Sequence, residues 1–134
     1  MQDRPTIPEL LTAVTQFLDH ELIPNLTGSR QFYGRVAANV LRMVMRELAQ
    51  EESQHSAEWQ RLDALLGPAP PPSVRAEFRS AIEKRTKELC QRIGQGEADS
   101  GPYREQVLAH LRATVREKLE VSNPKWIDRP REDV

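Results

Sequence analysis

Apolar residues recur at helical spacing along most of this 134-residue chain, whereas alternating strand patterns are nearly absent. The first helical segment opens with Thr6 and Glu9, a spacing in which each side chain can satisfy a free N–H of the first turn. Its apolar stripe ends near Leu22, and Pro24 closes the segment because proline cannot continue a helix. The periodicity therefore predicts an all-α fold.

Four further helical segments follow. The second begins after Gly28 and has the widest apolar arc, about half of the helix circumference, which is typical of a central helix touched by several others. A third runs from about Gln54 to Leu66, with Trp59 in the core, and Ser73 is expected to cap a fourth. The arc of the second segment contains Phe32, Tyr33, Val36, Ala37, Val40, Leu41, Met43, Val44 and Leu48.

The fifth segment ends before Asn123-Pro124, and its predicted inner face is Leu108, Leu111, Val115 and Leu119. Prolines in the stretch 68–72 favour an extended loop between two halves of the chain. We therefore predict a single compact bundle of about five helices over residues 1–127. The polar residues 128–134 are expected to form a flexible tail.

Composition excludes several classes of protein. The 19 basic and 20 acidic residues give a net charge of −1, which argues against nucleic-acid binding because that function needs a clustered positive excess. Cys90 is the sole cysteine, so neither an internal disulfide nor a cysteine-based zinc site can form. No apolar run approaches the ~20 residues that cross a bilayer. We expect a cytoplasmic protein without a membrane partner.

Two glutamates lie near the middle of apolar stripes, Glu21 in the first segment and Glu47 in the second. One interpretation is a buried acid pair that transfers protons or holds a cation. The other interpretation is that each glutamate forms a structural ion pair with an arginine at the edge of a stripe. It is favoured because structural ion pairs perturb acids as readily as active sites do. The candidate arginines are Arg35, Arg46, Arg85 and Arg112. A third alternative is that the helix ends are less buried than a helical wheel implies.

Other polar positions offer little chemistry. Asn39 flanks the apolar face of the second segment, where bridging between helices is favoured over binding a ligand. His20 and His110 project opposite their apolar stripes and are expected in solvent, while His55 faces inward if its helix starts as predicted. No histidine pair has metal-site spacing, and no nucleophile motif is present. We expect neither metal nor cofactor.

Three stretches resemble a bacterial all-helical family of unknown function: MQDRPTIPELL at the start, FYGRVAANVLRMVMREL, and HLRATVREKLEVSNPKW. The resemblance implies a small helical protein encoded beside acyl-CoA dehydrogenases and aminoglycoside-phosphotransferase-like proteins. It implies no catalytic residues. The polar positions that match the family pattern are Arg35, Asn39, Arg46, Glu47, Arg112, Lys118 and Asn123.

Two functions remain open. The first is an accessory or protein-interaction module working with an acyl-CoA dehydrogenase or phosphotransferase-like enzyme, and the lack of a catalytic motif favours it. The second is a binder or weak enzyme for an acidic or CoA-like ligand, with Glu21, Glu47, Arg35 and Arg112 lining its pocket. Trp126 either folds back on the helices or anchors a partner. The wide arc of the second segment predicts a homodimer.

Overall fold

The computed structural model describes residues 3–127, and every regular element among them is helical. Four α-helices are present: α1 (Ile7–Phe17), α2 (Gly28–Leu66), α3 (Arg75–Gly94) and α4 (Gly101–Ser122). A π-helical turn (Leu18–Leu22) and a 3-10 turn (Ile23–Asn25) follow α1, and a second 3-10 turn (Pro124–Trp126) follows α4. The all-α prediction is confirmed. The predicted tail, 128–134, lies outside the described residues.

The predicted count of about five helices is too high by one, because the second and third predicted segments are one helix. Helix α2 continues for 39 residues without interruption. The stretch 49–53 is polar and breaks the apolar pattern, but it contains neither glycine nor proline. Alanine, glutamine and glutamate are good helix formers, so the backbone hydrogen bonding carries through.

Local sequence signals explain most of the helix ends. The predicted capping box is present: Glu9 N–H donates to Thr6 Oγ1 at 3.4 Å, and Thr6 N–H donates to Glu9 Oε2 at 2.6 Å. The expected Ser73 cap is wrong, since Val74 occupies the N-cap of α3 without a side-chain hydrogen bond. The proline-rich stretch 68–72 is a loop between α2 and α3, as predicted.

The chain divides into two compact units, Met1–Ala49 and Gln50–Val134. In the first unit, the buried residues are Thr15, Ile23 and Ala38. The Ile23 side chain packs directly on Gly34, where an added Cβ would lie 3.0 Å from Ile23 Cγ1. An ion pair between Asp19 and Arg42 joins the π turn to α2. The prediction of one domain over residues 1–127 stays a prediction.

The second unit has a larger apolar core, to which three helices contribute. Leu62 and Leu89 are its most fully buried large side chains. The predicted core position of Trp59 is confirmed, since its ring is buried and meets Phe78 edge-on at 5.5 Å between centroids. The buried members of the core are Trp59, Leu62, Leu65, Ile82, Leu89 and Val107.

The inner face of α4 differs from the predicted one. Val107, His110 and Val121 are buried, whereas Leu111 and Val115 are exposed. A helical wheel favours the predicted face because its leucine and valine residues form a continuous apolar row. The observed row instead includes polar residues that meet polar residues of α2, described below. Consequently the expectation that His110 lies in solvent is wrong.

None of the described helices combines the length and the apolar character needed to cross a membrane.

Candidate functional site

The most unusual surface of the first unit is an exposed row of apolar side chains on α1. Ile7, Leu10, Val14 and Phe17 were expected in the core, because they recur at helical spacing, but all four are exposed. The other side of α1 turns inward and carries Leu11, which is half-buried, and the buried Thr15. Thr15 Oγ1 donates to the Leu11 carbonyl at 2.8 Å, so even the inner face is partly polar.

The first half of α2 carries a second exposed row, defined here as the α2 row: Phe32, Val36, Val40, Val44 and Leu48. The opposite side of the helix consists of small residues that lie close to the preceding turn. Gly34 contacts Ile23 and Leu26, and Ala38 is completely buried. A helix with apolar residues on most of its circumference is normally surrounded by other helices. Here its own unit covers the side that carries Gly34 and Ala38.

The exposed apolar surface of the first unit is large for a small protein. Its exposed large apolar residues are Ile7, Leu10, Val14, Phe17, Leu22, Phe32, Tyr33, Val36, Val40, Val44 and Leu48. At roughly 200 Å² for a fully exposed large side chain, their fractional exposures amount to on the order of 1,000 Å². The largest apolar patch of a typical monomer covers about 300–600 Å². Taken separately, the α1 row and the α2 row each cover about 400–500 Å², which lies within that range, and a patch of this size is often functional.

The two glutamates singled out in the sequence differ in burial. Glu21 is exposed, so its expected inward position is wrong. It lies in the π-helical turn that continues α1, and the apolar row of that helical segment is itself exposed, so a position on the row does not bury a side chain. Glu47 is half-buried and lies within the arc of the α2 row. Glu47 and its half-buried neighbour Arg46 each have an interaction partner.

The remaining predicted polar positions lie on the surface of their helices. Arg35 and Asn39 are exposed on α2, as are Arg112 and Lys118 on α4. Exposure of Asn39 disfavours its expected role in bridging helices. Arg112 is not part of a dry core, so the ion pair that would have buried it is absent from the described structure. These residues therefore lie on the exposed surface of the helix that carries each of them.

The C-terminal candidates Asn123 and Trp126 follow the end of α4. Asn123 is the C-cap of α4, its N–H donates to the Leu119 carbonyl at 2.8 Å, and the 3-10 turn starts directly afterwards. Trp126 is exposed, although it has an interaction partner. Its exposure leaves aromatic surface available to a partner, and both alternatives for Trp126, folding back on the helices or anchoring a partner, stay predictions.

Sequence reasoning missed a polar layer between α2 and α4 in the second unit. Arg61 donates to both carboxylate oxygens of Glu117, at 2.8 and 2.6 Å, and Gln54 Nε2 donates to the Glu117 carbonyl at 3.3 Å. Both charged side chains are largely buried. These residues are far apart in sequence, so no local pattern could have paired them.

His110 belongs to the same layer and is 4% exposed. Burial lowers the pKa of His110 below its ordinary value of 6.5, the positive charge of Arg61 lowers it further, and Glu117 partly opposes both effects. His110 Nδ1, Thr114 Oγ1 and Arg61 Nε are buried without a hydrogen-bond partner. Such unsatisfied groups are costly, which makes this layer sensitive to protonation.

Arg85, expected as a partner for one of the glutamates, has a structural role in the second unit. Its guanidinium pairs with Asp63, donates to the carbonyls of Leu62 at 3.2 Å and Gly67 at 2.6 Å, and lies 4.8 Å from the Trp59 ring. These contacts tie α3 to the C-terminal end of α2. Because its donors are already engaged, Arg85 is poorly suited to bind a ligand.

Two open clefts lie on the second unit. The larger, of about 370 Å³, is bordered by Trp59, Arg85 and Lys84, and the smaller, of about 280 Å³, by Arg61, Gln106 and His110. The four residues that the sequence assigned to a ligand pocket, Glu21, Glu47, Arg35 and Arg112, line neither of these two clefts. Within residues 3–127, no cluster of three or more histidine, cysteine or acidic side chains could hold a metal ion. Cys90 is exposed on α3.

A family model described as a domain of unknown function (DUF6285) matches residues 24–126. The match includes α2, α3 and α4, and it covers two of the three stretches on which the resemblance rests, 32–48 and 110–126. The first stretch, 1–11, precedes it. No curated protein and no solved structure matches the chain.

Proposed function

The chain belongs to the DUF6285 family of unknown function, and we propose that it is an accessory protein-interaction module that acts through the exposed apolar rows of its first unit. The observation that carries the proposal is the exposure of both rows, on α1 and on the first half of α2. Burying apolar surface stabilises a complex by roughly 25 cal/mol per Å². A partner that covers these rows would therefore be strongly favoured.

The resemblance to a bacterial family supports a more specific partner. It implies an acyl-CoA dehydrogenase or a phosphotransferase-like enzyme. The single cysteine, which can form no internal disulfide, favours a reducing cytoplasm. The α1 row suits such a partner because Ile7, Leu10, Val14 and Phe17 form one continuous edge of a helix. An amphipathic helix that lays its apolar face in a groove of another protein is a common recognition mode.

The alternative function, a binder of an acidic or CoA-like ligand, has less support. The four residues assigned to it border neither described cleft, and Glu21, Arg35 and Arg112 are exposed. The clefts are open and at or below the small end of the range typical of ligand pockets, about 300–1,000 Å³. Association with a protein explains the exposed rows, whereas ligand binding does not.

The experiment is a calorimetric titration of the chain against a purified acyl-CoA dehydrogenase and a phosphotransferase-like protein from the same genome. We expect binding to one of them with a Kd of about 10 μM or tighter. Leu10→Asp combined with Phe17→Asp should weaken it at least tenfold, because each aspartate would be desolvated in the interface. Leu111→Asp, on the exposed side of α4, is the matched control and should leave the Kd unchanged.

Absence of binding to both enzymes would contradict the enzyme partner. Equal weakening by the α1 double variant and by Leu111→Asp would contradict the assignment of the α1 row. Circular dichroism of each variant shows whether its helices remain intact.

A further inference from the structure

The α2 row has an internal symmetry that suggests what covers it. Its five residues recur every four positions, so they form one ridge of the i±4 type, and each is between 42% and 62% exposed. Val40 is the middle residue. Two residues of the row precede it and two follow it at equal spacing, and all five are aliphatic or aromatic.

We propose that a second copy of this chain covers the α2 row, with the two α2 helices antiparallel around a two-fold axis at Val40. In this register Val40 meets the partner's Val40 and Val36 meets the partner's Val44, while Phe32 and Leu48, about 80° to either side of Val40, border the interface. The row is thus complementary to itself, which an isologous interface requires. This inference deepens the proposed function, on which it rests, by naming the occupant of one of the two rows.

The same register explains why an acid lies within the apolar arc. Tyr33 and Glu47 are each seven residues from Val40, so each Glu47 lies opposite the partner's Tyr33. The Tyr33 phenol is 67% exposed, and its O–H can donate to the carboxylate, which has about four acceptor positions and so keeps its own-chain interaction. The interface would contain two such bonds, one on each side of the axis, and they would fix the register.

The exposed area agrees with a stable but modest dimer. At roughly 200 Å² for a fully exposed large side chain, the α2 row and Tyr33 together present about 600 Å² per copy. Two copies would bury between about 800 Å², with Phe32 and Leu48 outside the contact, and about 1,200 Å², at or below the lower end of the range for specific interfaces.

The first experiment measures the mass of the full chain by sedimentation equilibrium in the presence of a reductant. We expect twice the monomer mass of 15.3 kDa at tens of micromolar. Val40→Asp should raise the dimer Kd at least about 100-fold, because it brings two carboxylates together on the axis. Val115→Asp is the matched control, since Val115 is an equally exposed valine on α4, and this variant should stay dimeric.

A monomeric wild-type chain would overturn the proposal, and so would dissociation by Val115→Asp with Val40→Asp still dimeric. A monomer that still binds an enzyme would overturn the dimer alone and leave the interaction module standing. A dimer that binds neither enzyme would support the proposal and contradict only the enzyme partner.

The second experiment tests the register without relying on a disruptive variant. In a Cys90→Ser background, Val40→Cys should form a disulfide-linked dimer under mild oxidation, because the two sites meet at the axis. Phe32→Cys should not, since sixteen residues of antiparallel offset hold its two copies about 24 Å apart along the helices. Crosslinking through Phe32→Cys, as in a parallel pair, would overturn the register.

The proposed hydrogen bond between Tyr33 and Glu47 of the second copy is tested by a third, independent measurement. Tyr33→Phe and Glu47→Gln should each raise the dimer Kd about three- to tenfold, and the double variant should be no weaker than the weaker single variant. Such non-additivity indicates that the two side chains interact. Additive effects would overturn the pairing of Tyr33 with Glu47.

Discussion

His110 is the residue whose protonation bears most directly on the stability of the second unit. Its pKa lies below the ordinary value of 6.5 in the folded chain, because burial and Arg61 disfavour the charged imidazolium. Below pH 6.5 the unfolded chain therefore binds more protons than the folded chain does. Stability that is fully present above pH 6.5 is lost as the pH falls toward the pKa of the folded state.

We expect the urea midpoint of the second unit to be lower at pH 5.5 than at pH 7.5. Tryptophan fluorescence reports on that unit, since Trp59 and Trp126 both belong to it. His110→Gln should remove most of the pH dependence in this range, whereas His20→Gln, which changes an exposed histidine, should retain it. Equal midpoints at the two pH values in the unmodified chain would show that burial of His110 is not linked to stability.

At the scale of single residues, the sequence predicted those features that depend on neighbours along the chain. The capping box of Thr6 and Glu9 is one example, since both partners lie within one helical turn. The expected burial of Glu21 was wrong because a helical wheel shows which residues share a face, but not whether another element covers that face. The bond between Arg61 and Glu117 joins residues from separate helices, so only the tertiary fold brings it about.

Gly34 controls how closely α2 approaches the preceding turn. An added Cβ would lie 3.0 Å from Ile23 Cγ1, and Ile23 is buried and has little room to move. Gly34→Val should therefore destabilise the first unit by about 1–3 kcal/mol, the usual cost of overpacking. The measurement is unfolding in urea followed by circular dichroism.

Gly94→Ala is the matched control for Gly34→Val. Gly94 is the last residue of α3, and no atom lies within 4 Å of its added Cβ. We expect Gly94→Ala to be neutral or stabilising by up to about 1 kcal/mol, because alanine loses less entropy than glycine in a helix. A Gly34→Val variant as stable as the unmodified chain would show that α2 does not need the close contact.

At the scale of elements, the helical class and the loop at 68–72 were predictable, but the number of helices was not. Apolar periodicity reports which residues share a helix face, and it lapses between Leu48 and Gln54 even though the helix continues. The helix continues because the residues between Leu48 and Gln54 include neither glycine nor proline. The inner face of α4 was mistaken for a related reason, because both of its candidate rows have helical spacing.

At the scale of the whole molecule, a dimer formed through the α2 row predicts a melting temperature that depends on concentration. A tenfold increase in protein stabilises a folded dimer by about 1.4 kcal/mol, because unfolding then also separates the chains. For a pair of chains this size we expect an increase of about 2 °C. The measurement is calorimetry at two concentrations that differ tenfold.

The Val40→Asp variant is the control for this measurement, and its melting temperature should not change with concentration. A concentration-independent melting temperature in the unmodified chain would contradict association in the measured range. The width of the apolar arc on the second predicted segment already favoured a homodimer. The sequence could not indicate which part of the arc would be left exposed, since that depends on how much of it α1 covers.

The exposed thiol of Cys90 affects how any of these solution measurements must be interpreted. Oxidation by air can form a disulfide between the Cys90 residues of two chains. Such a covalent dimer would have the mass of the proposed dimer without involving the α2 row. It would disappear on adding dithiothreitol, whereas an assembly held by hydrophobic contact would persist. The Cys90 sulfur atom is also the single natural attachment point for a fluorescent or paramagnetic label, and it lies on α3, which carries neither apolar row.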